Sequence, residues 1–279
     1  MLKKTARFLK YLFLTIVSLI SVFPLVWMII AATNKSADVT KGTILPGGYF
    51  LENFRSLMNS DLQYLTAFKN SMVIGLVTTV LAMIVSSAAG YAFVVYKSKN
   101  RERVFNIILI SMMVPFAALM VPLFRLFSKF RNLGPLKLIA LNTPMAVIII
   151  AIATAFLIFF FRQNTRTFPK ELIEAARIDG LGEFQIFGRI FIPTMKSTYA
   201  AAIVTTFMTS WNNYLWPLIA LQSPEKRTLP LVISAMGSSY TPDYGMIMVA
   251  VVLATVPTAL LFFFMQKQFV AGMTGSVKG

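Results

Sequence analysis

Few side chains in this sequence can do covalent chemistry. There is no cysteine and no histidine among its 279 residues, which excludes disulfides, thiolate nucleophiles, imidazole bases and most zinc sites. No G-x-x-x-x-G-K-[ST] phosphate loop occurs, and Gly47-Gly48 reads as a turn. Two stretches concentrate groups suited to binding or coupling. One is Glu171–Lys196, ELIEAARIDGLGEFQIFGRIFIPTMK, the longest charged amphipathic segment in an oily chain. The other is Trp211-Asn212-Asn213-Tyr214-Leu215-Trp216, where aromatic faces stand beside amides that both donate and accept hydrogen bonds.

The first stretch predicts a helix–turn–helix outside the membrane core. Pro169 suits a first helical turn, where its missing N–H costs little. Leu172, Ala175 and Ala176 then fall on one face and Lys170, Glu174 and Arg177 on another. Glu174 is placed to pair with Lys170 and Arg177 at i−4 and i+3. Asp179-Gly180 breaks the helix, with Gly180 free to take a left-handed C-terminal cap. A second short helix carries Phe184, Phe187 and Phe191 on one side, and Pro193 is expected to end it.

These elements sit in a chain that is 57% apolar with a mean hydropathy of +0.73, the composition of a multi-spanning membrane protein. Six spans are expected: Tyr11–Ala32, Asn70–Tyr96, Val104–Phe127, Thr143–Phe161, Thr198–Leu221 and Gly245–Gln266. The first follows Lys3, Lys4, Arg7 and Lys10; it is too long for a signal h-region and reads as a retained span. Ser86, Ser87, Ala88, Ala89 and Gly90 suit a tight helix contact in the second. Pro115 and Pro122 should kink the third. Met112, Met113 and Met120 read as a packing stripe there.

The net charge of +16 lies in loops flanking apolar runs, a topology signal and not a nucleic-acid patch. With both termini inside, inner segments carry 16 basic and 5 acidic residues and outer segments 10 and 5. The Ser128–Asn142 loop, with Lys129, Arg131 and Lys137 and no acid, runs against that bias. No internal repeat and no soluble domain is evident, so residues 1–279 read as one transmembrane domain with a long inner loop at 163–197 and an inner tail at 267–279.

Glu174-Ala175-Ala176, then Asp179-Gly180, then Ile190 and Pro193, resemble the EAA loop of bacterial ABC-importer permeases. An amphipathic helix resting on headgroups explains the polarity pattern but not the Asp-Gly break at that distance from the triplet. Phe23-Pro24…Trp27, Asn70-Ser71 and Trp211-Asn212…Leu215-Trp216-Pro217 are similar to the sugar-importing branch. Gly275–Gly279 is similar to the tail of the smaller, maltose-type permease. The resemblance covers essentially the whole chain.

It implies an all-α, type I importer permease fold in a bacterial or archaeal inner membrane. Implied partners are a second homologous permease, two copies of an ATPase and an extracytoplasmic solute-binding protein, with lipid around the spans and no nucleic acid. No cofactor is expected on this chain; ATP and magnesium belong to the ATPase. Glu174, Ala175, Ala176, Asp179, Gly180 and Pro193 would form the joint with the ATPase. Within it, Glu174 would make an ionic contact, the alanines would permit close approach and Gly180 would set the interhelix angle. Ser276, Val277 and Lys278 would reach the ATPase from the tail.

For the second stretch, Trp211 lies roughly 20 Å from Thr198 in a core about 30 Å thick, in the outer half of a span. Asparagines at that depth need protein or water to face. Trp211, Asn212, Asn213 and Trp216 are therefore candidates for a sugar path, with Asn212 and Trp216 one turn apart; an interfacial aromatic belt explains the rings but not the paired amides. The alternative from another class is a self-contained secondary transporter or channel for a small polar solute. Such proteins carry ionisable groups within the membrane, and these spans hold almost none.

Overall fold

The computed structural model of the chain describes residues 2–96 and 98–274, and every regular element among them is helical. In order these are α1 (Leu2–Ala32), α2 (Ser36–Thr40), α3 (Phe50–Asn59), α4 (Tyr64–Val95), α5 (Lys99–Ser111) and α6 (Phe116–Phe130). A 3₁₀ turn (Gly134–Ile139) leads to α7 (Pro144–Ile148), α8 (Ala155–Thr165), α9 (Glu171–Ile178) and α10 (Glu183–Ile186). A π turn (Phe187–Phe191) runs into α11 (Ile192–Thr194), α12 (Lys196–Trp211) and α13 (Leu215–Ala220). A second 3₁₀ turn (Pro224–Lys226) precedes α14 (Leu229–Gly237) and α15 (Tyr244–Thr274).

Among the described residues, three helical stretches are long and apolar enough to cross a membrane: Thr5–Ala32, Tyr64–Val95 and Tyr244–Gln268. A fourth crossing exists if α5 and α6, bent by 102°, act together. The bend falls where Pro115, in extended backbone, precedes α6; its ring and missing N–H forbid continuation of α5. Pro122 is accommodated inside α6. Thr143–Phe161 and Thr198–Leu221, expected as single spans, are each broken. Turn residues 149–153 separate α7 from α8, where the Thr154 hydroxyl accepts the Leu157 N–H and starts a new helix. Residues 212–214 separate α12 from α13. Apolar composition is blind to such breaks because both halves remain oily.

The chain divides into two compact units. The smaller comprises residues 1–65 and 232–256. The segments after α1 are tied to its end by asparagine: Asn53 Nδ2 donates to the Ala32 and Asn34 carbonyls at 3.0 and 2.9 Å. A Cβ on Gly245 would lie 2.6 Å from the Asn34 carbonyl oxygen, so only glycine fits there. Tyr64 donates to the Ala250 carbonyl at 2.8 Å. Most of α1, by contrast, exposes its apolar side chains.

The larger unit comprises residues 66–231 and 257–279. The small-residue run of α4 makes the close approach expected of it. Ser86 and Ser87 are buried, and a Cβ on Gly90 would stand 2.6 Å from Phe161 Cβ and 2.8 Å from the Arg162 nitrogen of α8. Ala82, Met83, Leu157, Phe161 and Ala202 pack there. A second core joins Ile74, Phe127, Ala146–Ile148, Trp216 and Ala220. Met112 and Met113 lie exposed at the α5–α6 break instead of forming a packed stripe, because the bend removes the helix face that would have aligned them.

Candidate coupling site

The turn after α9 is built by its own backbone. Gly180 has φ +79; its N–H donates to the Arg177 carbonyl at 3.1 Å, and the Leu181 N–H to the Ala176 carbonyl at 3.0 Å. This pair of bonds closes a Schellman cap, as the Asp-Gly break foretold. The next helix opens with the Gly182 N–H donating to Gln185 Oε1 at 3.1 Å. Pro169 stands outside the helix, two residues ahead of Glu171.

The faces of α9 differ from the expected ones. Ile173 and Ala176 are the buried residues, whereas Leu172, Glu174 and Ala175 are exposed. The two alanines therefore point different ways: Ala176 packs inward and only Ala175 meets solvent. Below them lies a core of Tyr91, Phe168, Ile173, Ala176, Ile186, Phe191 and Met195. Tyr91 meets Phe187 and Phe191 edge-on at 5.3 and 4.9 Å, and these two rings stack at 5.4 Å. Phe184 leaves this group and is 94% exposed; Ile178 beside the turn is 87% exposed.

The ion pairing is also reassigned. Arg177 Nε donates to Glu183 Oε1 at 2.7 Å across the turn, not to Glu174. Tyr96 donates its hydroxyl to the other Glu183 oxygen. The Arg177 bond, and then the Tyr96 bond, hold the Glu183 carboxyl below its ordinary pKa. Glu174 has no cation within salt-bridge distance among the described residues. Sequence spacing along one helix hid the Arg177–Glu183 pair, because the two residues meet only once the cap reverses the chain. Asp179 occupies the C-cap and is exposed.

Pro193 does not end the second helix. The π turn widens the helix just before it, with the Ile192 N–H donating to the Phe187 carbonyl five residues back. That wider turn absorbs the clash a proline ring makes with the preceding turn, and the chain continues through α11 toward α12. Ser276, Val277 and Lys278 lie outside the described residues.

The second stretch is largely taken into the core. Trp211 is buried, stacked on Phe207 at 5.6 Å with Phe68 edge-on at 5.5 Å. Trp216 is fully buried against Phe127, and its Nε1–H donates to the Ala146 carbonyl at 2.9 Å. Asn212 and Trp216 do not share a face, because the helix breaks between them. Asn212 is exposed, with its amide donating to the Met208 carbonyl, and Asn213 is half-buried.

Comparison with known proteins adds identity to this geometry. Residues 92–275 match the pattern of binding-protein-dependent transport system inner membrane components. The chain is 48% identical over 269 residues to the lactose transport system permease protein LacG of Rhizobium radiobacter, covering 96% of this chain and 95% of that one. It is 37% identical over 289 residues to the arabinooligosaccharides transport system permease protein AraQ of Bacillus subtilis, covering all of both. The sn-glycerol-3-phosphate transport system permease protein UgpE of Yersinia pestis is 31% identical over 277 residues, covering 96% of each. In fold, the chain is similar to a crystal structure of a bacterial ABC transporter involved in alginate import. That match has TM-score 0.80 and 21% identity, over 95% of this chain and 97% of that one.

Proposed function

The chain belongs to the family of binding-protein-dependent transport system inner membrane components, and on that premise we propose that it carries a sugar or oligosaccharide as half of an ATP-driven import path. Relatives named for lactose and arabinooligosaccharide transport support the substrate class. In this reading the chain crosses the membrane six times with both termini inside. The α5–α6, α7–α8 and α12–α13 pairs then serve as broken crossings beside α1, α4 and α15. It pairs with a second permease and two ATPase subunits that hold ATP and magnesium, and it receives solute from an external binding protein.

One observation carries the coupling assignment. The α9–α10 reversal is locked from beneath by aromatic packing, yet presents Leu172, Ala175, Ile178 and Phe184 outward beside Glu174, which has no ion-pair partner among the described residues. Isolated apolar side chains are common on surfaces, but here they cluster around one backbone-bonded turn beside the exposed Glu174 carboxylate. Such a knob suits a cleft on the ATPase, where Glu174 meets a basic residue and Gly180 holds the angle. Movement of the ATPases would then pass to the spans as a rigid-body rotation. Asn212 and Asn213 remain as polar groups for the sugar path, the tryptophans serving to hold the break that presents them.

The test is affinity purification from native membranes in mild detergent, wild type beside Glu174→Lys, with mass spectrometry of co-purifying chains. Wild type should bring down a P-loop ATPase and a second permease, and the variant should lose the ATPase while inserting normally. Undiminished ATPase recovery with the variant overturns the assignment of Glu174.

A further inference from the structure

A cavity of about 670 Å3 lies where α4 ends, α5 begins and α8 gives way to the inner loop. Its wall carries Lys99, Arg103, Arg162, Arg166 and Lys170 against a single acid, Glu102. That acid is already engaged: Arg162 Nη2 donates to it. Arg162 itself is only 5% exposed, its guanidinium carbon stands 3.8 Å over the Phe105 ring, and its Nε–H has no hydrogen-bond partner among the described residues. The other four cations have no carboxylate within salt-bridge distance among the described residues. Convergence of this many like charges around one hollow is unfavourable unless an anion enters. Phosphate suits the donors present, since arginine's planar fork binds its oxygens in pairs.

The surroundings favour a phosphate that arrives on a lipid. Phe93 and Val94 give the cavity an apolar wall. Along α5, Val104, Ile107 and Ile110 are exposed, and Ile107 lies one turn beyond Arg103 on the same helix face. A headgroup in the cavity would thus leave its acyl chains running down an apolar helix. We propose that the cavity is a site for the phosphate headgroup of an anionic phospholipid from the inner leaflet. The assignment to that leaflet rests on the orientation proposed above.

The test is native mass spectrometry of the full chain in detergent, with phosphatidylglycerol or phosphatidylethanolamine added. Wild type is expected to retain one phosphatidylglycerol in preference to phosphatidylethanolamine, and to keep it in excess inorganic phosphate. Lys99→Gln/Arg103→Gln/Arg166→Gln leaves the Arg162–Glu102 pair in place. Retention should fall about a hundredfold, at about fivefold per basic residue near an anionic headgroup. Each single variant should lose about its own fivefold share, so the graded series reads the site even if the triple variant folds poorly. Equal retention of the two lipids, or retention indifferent to all these variants, overturns the site. Complete displacement by inorganic phosphate reassigns it to a soluble anion and overturns the lipid. Orientation is read separately: the chain has no cysteine, so Ser98→Cys reports alone. Labelling of it by an impermeant maleimide from outside sealed cells would overturn the topology while leaving the lipid measurement standing.

Discussion

Two helix–break–helix stretches in the larger unit show opposite ways of interrupting a helix. Between α9 and α10 the break is local: Gly180 at φ +79 and two backbone bonds within the turn close it. The break between α12 and α13 also has local backbone bonds at Asn212 and Asn213, but the helix that follows it is held at both ends by distant partners. Trp216 donates to Ala146, 70 positions away, and Asn142 Oδ1 accepts the N–H groups of Gln222 and Ser223 at 3.0 Å each. A local break leaves its side chains free to face outward, and α9–α10 presents Ile178 and Phe184. A break held by tertiary contacts spends its large side chains on the core, and Trp211 and Trp216 are spent in that way. Two motifs that look equally functional as strings of letters therefore differ in what they can touch.

The widest separation of the two should come from aromatic truncation. Trp216→Ala removes a fully buried ring and orphans a carbonyl, and should cost about 3–5 kcal/mol, seen as collapse of the thermal midpoint in detergent. Phe184→Ala, at a side chain 94% exposed, should change stability by less than about 0.5 kcal/mol while reducing ATPase co-purification. Comparable losses of stability from both would erase the distinction.

Asn142→Ala tests the distant hold on the α13 end. It deprives two N–H groups of their acceptor and Ser223 Oγ of the Asn142 amide, for about 2 kcal/mol. Asn142 also has φ +65, so Asn142→Gly separates backbone strain from hydrogen bonding. If the glycine variant melts above wild type by the full relief of that strain, about 1 kcal/mol, the bonds contribute nothing. A smaller effect is expected at the local break, where Gly180→Ala forces a Cβ into the left-handed region at about 1 kcal/mol. Nothing lies within 4 Å of that Cβ, so the loss should appear as faster amide exchange in the turn without a change in packing.

The smallest effect concerns pH. Because the folded Glu183 carboxyl is held below its ordinary pKa by Arg177 and Tyr96, its contribution is present above the unfolded value and is lost as pH falls through the folded one. Amide protection of 177–186 should therefore be flat from pH 7 to about pH 5 and decline only below that. In Glu183→Gln the decline should vanish. A loss of protection already at neutral pH would contradict the pairing.

The sequence by itself determined the membrane class, the local reversal at Asp179-Gly180 and the close approach at Gly90. Each depends on composition or on residues adjacent in the chain, so no fold is needed to read them. Only the tertiary structure decided which face of α9 is buried, since the aromatic floor of Tyr91 and Phe191 comes from elsewhere in the chain. It also decided the partner of Arg177, because the cap must turn before Glu183 arrives. Pro193 passed through a helix because a π turn, supported by buried Phe191, widened the backbone ahead of it. The Arg162–Glu102 pair and the basic cavity around it join residues 60 positions apart. No local pattern encodes such a meeting; it follows from packing α5 against α8.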